Sequence, residues 1–433
     1  KKEKTVNGGR FVTSEDVRYS FERCIRIGKR AWVFDSLVGS REFMEGKTNS
    51  VAGIQIISPH TIMLKLKQPF TPFLTVLCMP NAAIVPKEDV ENKKRNFEEF
   101  PVGTGAFYIV ENRDKVKIVL ERNDNYFLQK AKVKKVILPI INDENARWMA
   151  FLNGDIYHSD ITNPKYQTTK QDPKWKNYIQ ELSQWGTYYM GMNVTKPPFD
   201  NKLIRQAFNY AINRKEICQV MLNDRVIPAK GVLPPGIKGY NKDLIGYTYN
   251  LEKAEELLKK AGYANGNGFP EITLQYNEDK DHKRVAEYIQ SNLIDLGIKV
   301  KLKVVDWPTH ISMLDRGEIP FFRLGWVADY PDPDNFTYVL FHSSHHGSKG
   351  NQTFFDNPRV DRLLEDGRSE TDPKKRIKLY QEAEKIIVEE APWLFVYHST
   401  AHVIHQKWVK GLKLTPMGRS AIKFNKLWID TGN

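Results

Sequence analysis

The sequence predicts an α/β protein of two lobes joined at a hinge. Three observations point there. The chain has 433 residues, more than one hydrophobic core organises. A strand, a helix and a second strand follow one another between Glu271 and Val304. A connection of that length pairs the two strands in parallel, as a right-handed βαβ unit. No linker, repeat or low-complexity tract separates the parts, so the lobes are joined by short crossings of the kind that serve as hinges.

In chain order, Thr13-Ser14-Glu15-Asp16 predicts a helix start, with Thr13 as cap and Asp16 placed to complete a capping box. Val17, Phe21 and Ile25 then recur at helical spacing. Ile54–Ile57 and Thr61–Lys67, split by Ser58-Pro59-His60, predict a β-hairpin. Phe107–Glu121 and Lys134–Ile141 predict strands, the first alternating Val116, Ile118 and Leu120 with charge. Asn250 caps a helix whose Ala254, Leu257, Leu258 and Ala261 face inward, and Gly262 ends it. The βαβ unit comprises Glu271–Tyr276, a helical stripe of Val285, Ile289 and Leu293, and Ile298–Val304; Phe321–Trp326 adds a strand. Helices follow near Pro358–Asp366 and over Pro373–Glu390, and Trp393–Tyr397 predicts a buried strand after Pro392.

Composition excludes several classes. Hydrophobic residues make up 41% and charged residues 27%, an ordinary globular balance. No apolar run reaches the roughly 20 residues that span a bilayer. The net charge is +13, but its 65 basic residues are interleaved with 52 acidic ones, without a basic tail or block. That pattern predicts a solvated surface and no nucleic-acid partner. Cys24, Cys78 and Cys218 are odd in number and form no CxxC, so neither a disulfide framework nor a zinc knuckle is predicted. Gly103-Thr104-Gly105 lacks the Lys-Ser/Thr of a phosphate loop. There is no GxSxG or HExxH, and no enzyme, cofactor or metal is expected. His342, His345 and His346 lie in a Ser/Gly/Lys-rich stretch and are expected to be a solvated loop.

Four segments carry a resemblance. They are Gly9-Arg10-Phe11 through Ser14-Glu15-Asp16-Val17-Arg18-Tyr19-Ser20; Pro101-Val102-Gly103-Thr104-Gly105-Ala106-Phe107 with Arg122-Asn123-Asp124-Asn125-Tyr126-Phe127; Pro197-Pro198-Phe199-Asp200-Asn201 through Arg205-Gln206-Ala207-Phe208-Asn209-Tyr210-Ala211-Ile212-Asn213-Arg214; and Asp329-Tyr330-Pro331-Asp332-Pro333-Asp334-Asn335-Phe336. In order and spacing the whole chain resembles the peptide- and nickel-binding solute-binding proteins of ABC transporters, of the dipeptide- and oligopeptide-binding type. That resemblance implies a periplasmic-binding-protein-like clamshell of the large three-domain class. Its lobe I is residues 1–190, with an inserted subdomain at about 26–100; lobe II is 191–399; and 400–433 return to lobe I. It also implies an extracytoplasmic location, in the periplasm or as a surface lipoprotein. The partners implied are a short peptide and the membrane permease, with the receptor itself monomeric. Relatives carry a secretion signal and further residues ahead of the first helix, so residues are expected to precede Lys1.

The candidate site follows. Asp329 lies just beyond the strand Phe321–Trp326, and ligands of open α/β sheets sit outside the carboxyl ends of strands. In the resembling peptide receptors the matching aspartate neutralises the peptide's α-ammonium group. Asp334 is expected instead to cap the next helix. Arg323 sits in an otherwise apolar strand, where a guanidinium is costly unless paired. It either meets a structural acid or, as the resemblance implies, the carboxylate of a short peptide. Trp326, Trp185, Tyr188 and Tyr189 are candidate cleft walls, with at most one of the two tyrosines facing the cleft; flat aromatic walls accept many side chains. Trp185–Asn193 resembles the strand by which the chain crosses to the second lobe. The alternatives are a receptor for a nickel chelate, haem or oligosaccharide on the same fold, or a hydrolase using Asp329 and Asp332.

Overall fold

A computed structural model describes residues 8–28, 31–94, 96–418 and 421–432. The first helix, Ser14–Ile27, begins as its capping residues predict, with the Thr13 N–H donating to the Asp16 carboxylate at 2.8 Å. Strands β1 (Ile54–Ser58) and β2 (Thr61–Leu64) form the expected antiparallel hairpin. These elements enclose a core built from residues between Phe21 and Ala82, among them Phe34, Leu37 and Val76. One residue from far along the chain, Tyr330, joins it. Strands β3 (Phe107–Arg113), β4 (Lys117–Arg122) and β5 (Lys135–Pro139) make a separate antiparallel sheet.

The remaining large sheet organises the molecule. Its members are β6 (His158–Asp160), β7 (Ile179–Met192), β8 (Ile227–Pro228), β9 (Ile272–Asn277), β10 (Val300–Val305), β11 (Phe321–Val327) and β12 (Trp393–His405). The order is β10-β9-β11-β7-β12-β6, with β8 added to β12. The helix Lys280–Ile294 connects β9 to β10, which pair in parallel as the βαβ pattern predicts. Strand β11 runs antiparallel to β7. A last short pair, β13 (Val409–Lys410) and β14 (Trp428–Ile429), closes the chain.

Strands β7 and β12 are far longer than the others and pair along almost their whole lengths. At one end they carry β11, β9 and β10; at the other they carry β6. Helices cover both faces of the first end. Lys202–Ala211, Leu251–Lys260 and Lys280–Ile294 pack one core with Phe208, Leu258 and Ile289; Pro358–Ser369 and Pro373–Glu390 pack the other with Leu364, Tyr380 and Ile387.

Buried cations fix the start of β12 to the helix Lys202–Ala211. Arg205 donates from Nε and Nη2 to the Glu390 carbonyl at 3.0 and 2.8 Å. Asn209 donates to the Trp393 carbonyl at 2.8 Å, and Arg214 donates to the Phe395 carbonyl. Charge-assisted bonds of this kind are roughly twice as strong as neutral ones. The Arg-x-x-x-Asn-x-x-x-x-Arg spacing of the third segment is therefore a structural clamp at the root of a crossing strand. Cys218 is buried beside it, as the apolar Ile217-Cys218 pair suggests.

Candidate ligand-binding site

The site is built at the end of β11 and the loop that follows. Two hydrogen bonds fix which way this strand's backbone faces. The Ala328 N–H donates to the Trp185 carbonyl on β7 at 2.8 Å. The Arg323 carbonyl points to the opposite edge, where it accepts from His310 Nε2 at 2.8 Å. Alternate residues of a strand send both N–H and C=O to the same edge, so Gly325 and Val327 face away from β7 with Arg323. Strand β9 pairs with that edge only at Phe321 and Phe322. Among the described residues no strand pairs with the edge at Gly325 and Val327, which leaves it open to an added one. His310 is buried, and Gln275 Nε2 lies 3.1 Å from its Nδ1. Burial lowers its pKa, which keeps the ring neutral with the Nε2 proton aimed at β11.

Beyond Val327 the chain turns sharply. Buried Asn335 holds the turn, its Oδ1 accepting the Trp326 indole N–H and the Asp329 N–H, both at 2.9 Å. Asp329 is half-buried at the mouth of this turn. Its neighbours Asp332 and Asp334 point inward. Asp332 is gripped by Arg376 through two bonds of 2.9 and 2.7 Å, and it also caps the short turn by accepting the Asp334 N–H. Asp334 is wholly buried. It receives Arg368 Nε at 2.8 Å, the Tyr330 hydroxyl at 2.6 Å and the Tyr380 hydroxyl at 3.2 Å. The expectation that Asp334 caps a helix is corrected. The cap is Asp332, because Asp334 is drawn into the ion pair with Arg368.

Arg323 projects from β11 onto the ring of Tyr188, 4.4 Å from its centroid, and donates to Asn277 Oδ1 at 3.1 Å. Among the described residues it makes no ion pair with a carboxylate, and its Nε is a buried donor without a partner. Tyr188 stacks its other face on Tyr397, with centroids 4.4 Å apart, and burial pushes its hydroxyl pKa up to about 12. Trp185 Nε1 is likewise a buried donor with no partner among the described residues. An open cavity of about 470 Å³ starts at Gln184 and Val327 and runs past Arg225, Asp281, Arg147 and Thr400.

The candidates therefore separate. Arg323 and Tyr188 meet on one face of β11, Trp326 packs with Trp185 against the core on the other face, and Asp329 follows the strand's end. Tyr188 and Tyr189 are both removed from the list of cleft walls, Tyr188 because it is buried with Arg323 over one face of its ring and Tyr397 stacked on the other. Consecutive strand residues face opposite ways, and Tyr189 lies in the core stacked on Trp393 with ring centroids 3.4 Å apart. The histidine stretch is not solvated. His342 stacks on Tyr338 with Nε2 3.3 Å from Glu365, His345 is buried, and burial lowers its pKa to about 4. Sequence reasoning missed His310 and the backbone of Gly325 and Val327. The alternation of β11 was legible, but which of its edges β9 leaves open was not.

Comparison with known proteins identifies the family. The profile described as bacterial extracellular solute-binding proteins, family 5 Middle, matches residues 7–348. The chain belongs to the bacterial extracellular solute-binding proteins, family 5. The dipeptide-binding protein of Escherichia coli is 28% identical over 95% of this chain and 78% of that protein. Heme-binding protein A of Haemophilus influenzae is 29% identical over 95% of this chain and 76% of that protein. The periplasmic binding protein DppA of Helicobacter pylori, solved in complex with the peptide STSA, superposes with a TM-score of 0.83. It is 29% identical, and the match covers 97% of this chain and 82% of that one. Family 5 membership accounts for the two-lobed α/β architecture, with β7 and β12 as its longest strands. Among the described residues, no helix is long and apolar enough to cross a membrane.

Proposed function

We propose that this chain is the extracytoplasmic receptor of a peptide-import ABC transporter and binds short peptides between its lobes. The open edge at Gly325 and Val327 carries the reading, because it is flanked by a carboxylate, Asp329, and by a guanidinium, Arg323, that pairs with no carboxylate among the described residues. An extended peptide adds to such an edge through main-chain hydrogen bonds, which are blind to sequence. Asp329 neutralises the α-ammonium group, and Arg323 receives the carboxylate through its fork of donors. Trp326 and Trp185 serve as the aromatic walls.

Residues 1–190 and 400–433 form lobe I, with the subdomain at about 26–100, and 191–399 form lobe II. The lobes close over the peptide about β7 and β12. The closed monomer then docks on the permease, from the periplasm or from a lipid anchor on the cell surface.

Two observations favour this over the alternatives. A relative is named heme-binding, but a haem offers two carboxylates and no ammonium, so Asp329 has nothing to neutralise. A hydrolase working through Asp329 and Asp332 lacks its second carboxylate, since Asp332 is buried against Arg376. Native mass spectrometry of protein purified from cells tests the reading. The expected result is co-purified short peptides, replaced one for one from an added pool that stays intact. Retained haem or metal chelate, or fragmentation of the pool by pure protein, overturns it.

A further inference from the structure

The loop that carries Asp329 is held from two directions. On the lobe II side, Asp334 is bound by Arg368 from the helix Pro358–Ser369 and by Tyr380 from the helix Pro373–Glu390. On the other side, the loop reaches into the N-terminal core. Tyr330, next to Asp329, is buried there, 6.3 Å from the ring of Trp32, and its hydroxyl returns to Asp334 at 2.6 Å.

Arg368 touches both sides at once. Its guanidinium lies between two rings, 3.5 Å from the centroid of Tyr338 in its own lobe and 4.7 Å from that of Phe70 in the N-terminal segment. Its carbonyl accepts the Thr71 N–H at 2.9 Å, and the nearby Glu370 carbonyl accepts the Thr71 hydroxyl at 2.9 Å. The Asp334 and Tyr338 contacts belong to one lobe and survive any hinge motion. The Phe70 and Thr71 contacts join segments almost 300 residues apart in sequence and form only when the N-terminal segment is docked.

We propose that Arg368 is a positioning residue that couples the Asp329 loop to residues 70 and 71, so that docking of the N-terminal segment slows the release of a ligand held by Asp329. The proposal rests on the reading of Asp329 given above. The coupling is physical and short. Arg368 fixes Asp334, Asp334 fixes Tyr330, and Tyr330 is covalently next to Asp329. If the segment swings away, one face of a cation sandwich and two hydrogen bonds are lost together, and the buried Tyr330 ring is exposed to water.

The test leaves Asp329, Asp334 and Arg368 in place. The double variant Phe70→Ala/Thr71→Ala removes the ring over Arg368, with its packing on the N-terminal core, and the hydroxyl bond to Glu370, leaving the Thr71 N–H bond to the Arg368 carbonyl, and Phe70→Tyr/Thr71→Ser restores a ring and a hydroxyl. Stopped-flow fluorescence with a labelled tripeptide bearing a free amine reads both rates. We expect the association rate of the alanine variant to stay within two-fold of wild type, the dissociation rate to rise about ten-fold or more, and the conservative variant to return it. Hydrogen exchange of the unliganded protein supplies a second readout, independent of any peptide. Amides of residues 329–335 should exchange faster in the alanine variant than in wild type or the conservative variant. Unchanged dissociation, unchanged exchange, or a loss of association rate alone overturns the coupling. If wild type binds no peptide, the Asp329 reading fails, while the exchange comparison still decides whether the loop and the segment are coupled.

Discussion

The guanidinium of Arg323 lies 4.4 Å above the ring of Tyr188, and no carboxylate among the described residues pairs with it. A cation held this way keeps part of its solvation through the ring face and Asn277, yet its strongest available partner is an anion brought by ligand. Replacing Arg323 with Gln should weaken a free tripeptide by about 1.5–3 kcal/mol, roughly ten- to a hundred-fold. The C-amidated form of the same peptide should lose little. Calorimetry on both forms checks this, and equal losses would return Arg323 to a purely structural role.

Glu384 gives a prediction about pH. Its Oε1 accepts the N–H groups of Val232 and Leu233, both at 2.8 Å, while Oε2 is buried with no partner among the described residues. Burial pushes its pKa up to about 7, against which the two backbone donors pull down. A carboxyl raised on folding binds more protons in the native state, so its contribution is present in full below its unfolded value and is lost as pH rises through about 7. Glu384→Gln keeps the acceptor and never ionises. Its advantage over wild type in denaturant unfolding should grow between about pH 5 and pH 8, towards an order of 3 kcal/mol. A pH-independent difference would contradict this.

The histidines at 342 and 345 should matter for stability, though not for ligand. His342 stacks on Tyr338, whose ring also carries the Arg368 guanidinium, and His345 contacts Tyr338 edge-on at 5.0 Å. Replacing both with Ala should cost about 0.5–3 kcal/mol each, visible as a lower Tm, while the peptide affinity of the folded fraction is unchanged. A loss of affinity accompanied by the loss of a bound metal would point instead to a chelate ligand.

Much of the architecture was legible in the sequence because its determinants are local. Asn250 caps its helix by accepting the Lys253 N–H, and the βαβ unit is written in alternating residues from Ile298 to Val304. The last long strand was read only to Tyr397, yet it continues to His405. Its register shifts against β7 between Phe395 and Tyr397 and again between His398 and Thr400, so the side-chain alternation breaks where the strand crosses the molecule. The placing of candidate residues was legible where a single strand sets it, with Arg323 inside β11 and Asp329 just beyond its end. It was illegible where partners converge from distant segments. Asp334 looked like a helix cap because Arg368 and Tyr380, which bury it, lie 34 and 46 positions away. The serines and glycine about His342 suggested a solvated loop because nothing nearby in sequence announces Tyr338 and Arg368 as a stacking surface.

The most direct test of peptide binding through the Asp329 loop is calorimetry of one tripeptide, with a free amine and N-acetylated, against wild type and Asp329→Asn. The substitution preserves shape and removes charge. Breaking a buried charge pair by removing one partner costs about 2–5 kcal/mol, so the free peptide should bind roughly 30-fold to several-thousand-fold more weakly. The acetylated peptide has no ammonium group to pair, and its already weaker affinity should barely change, making the two modifications non-additive. Equal losses for both forms of the peptide would mean that Asp329 shapes its loop without reading the amine, and would contradict the account.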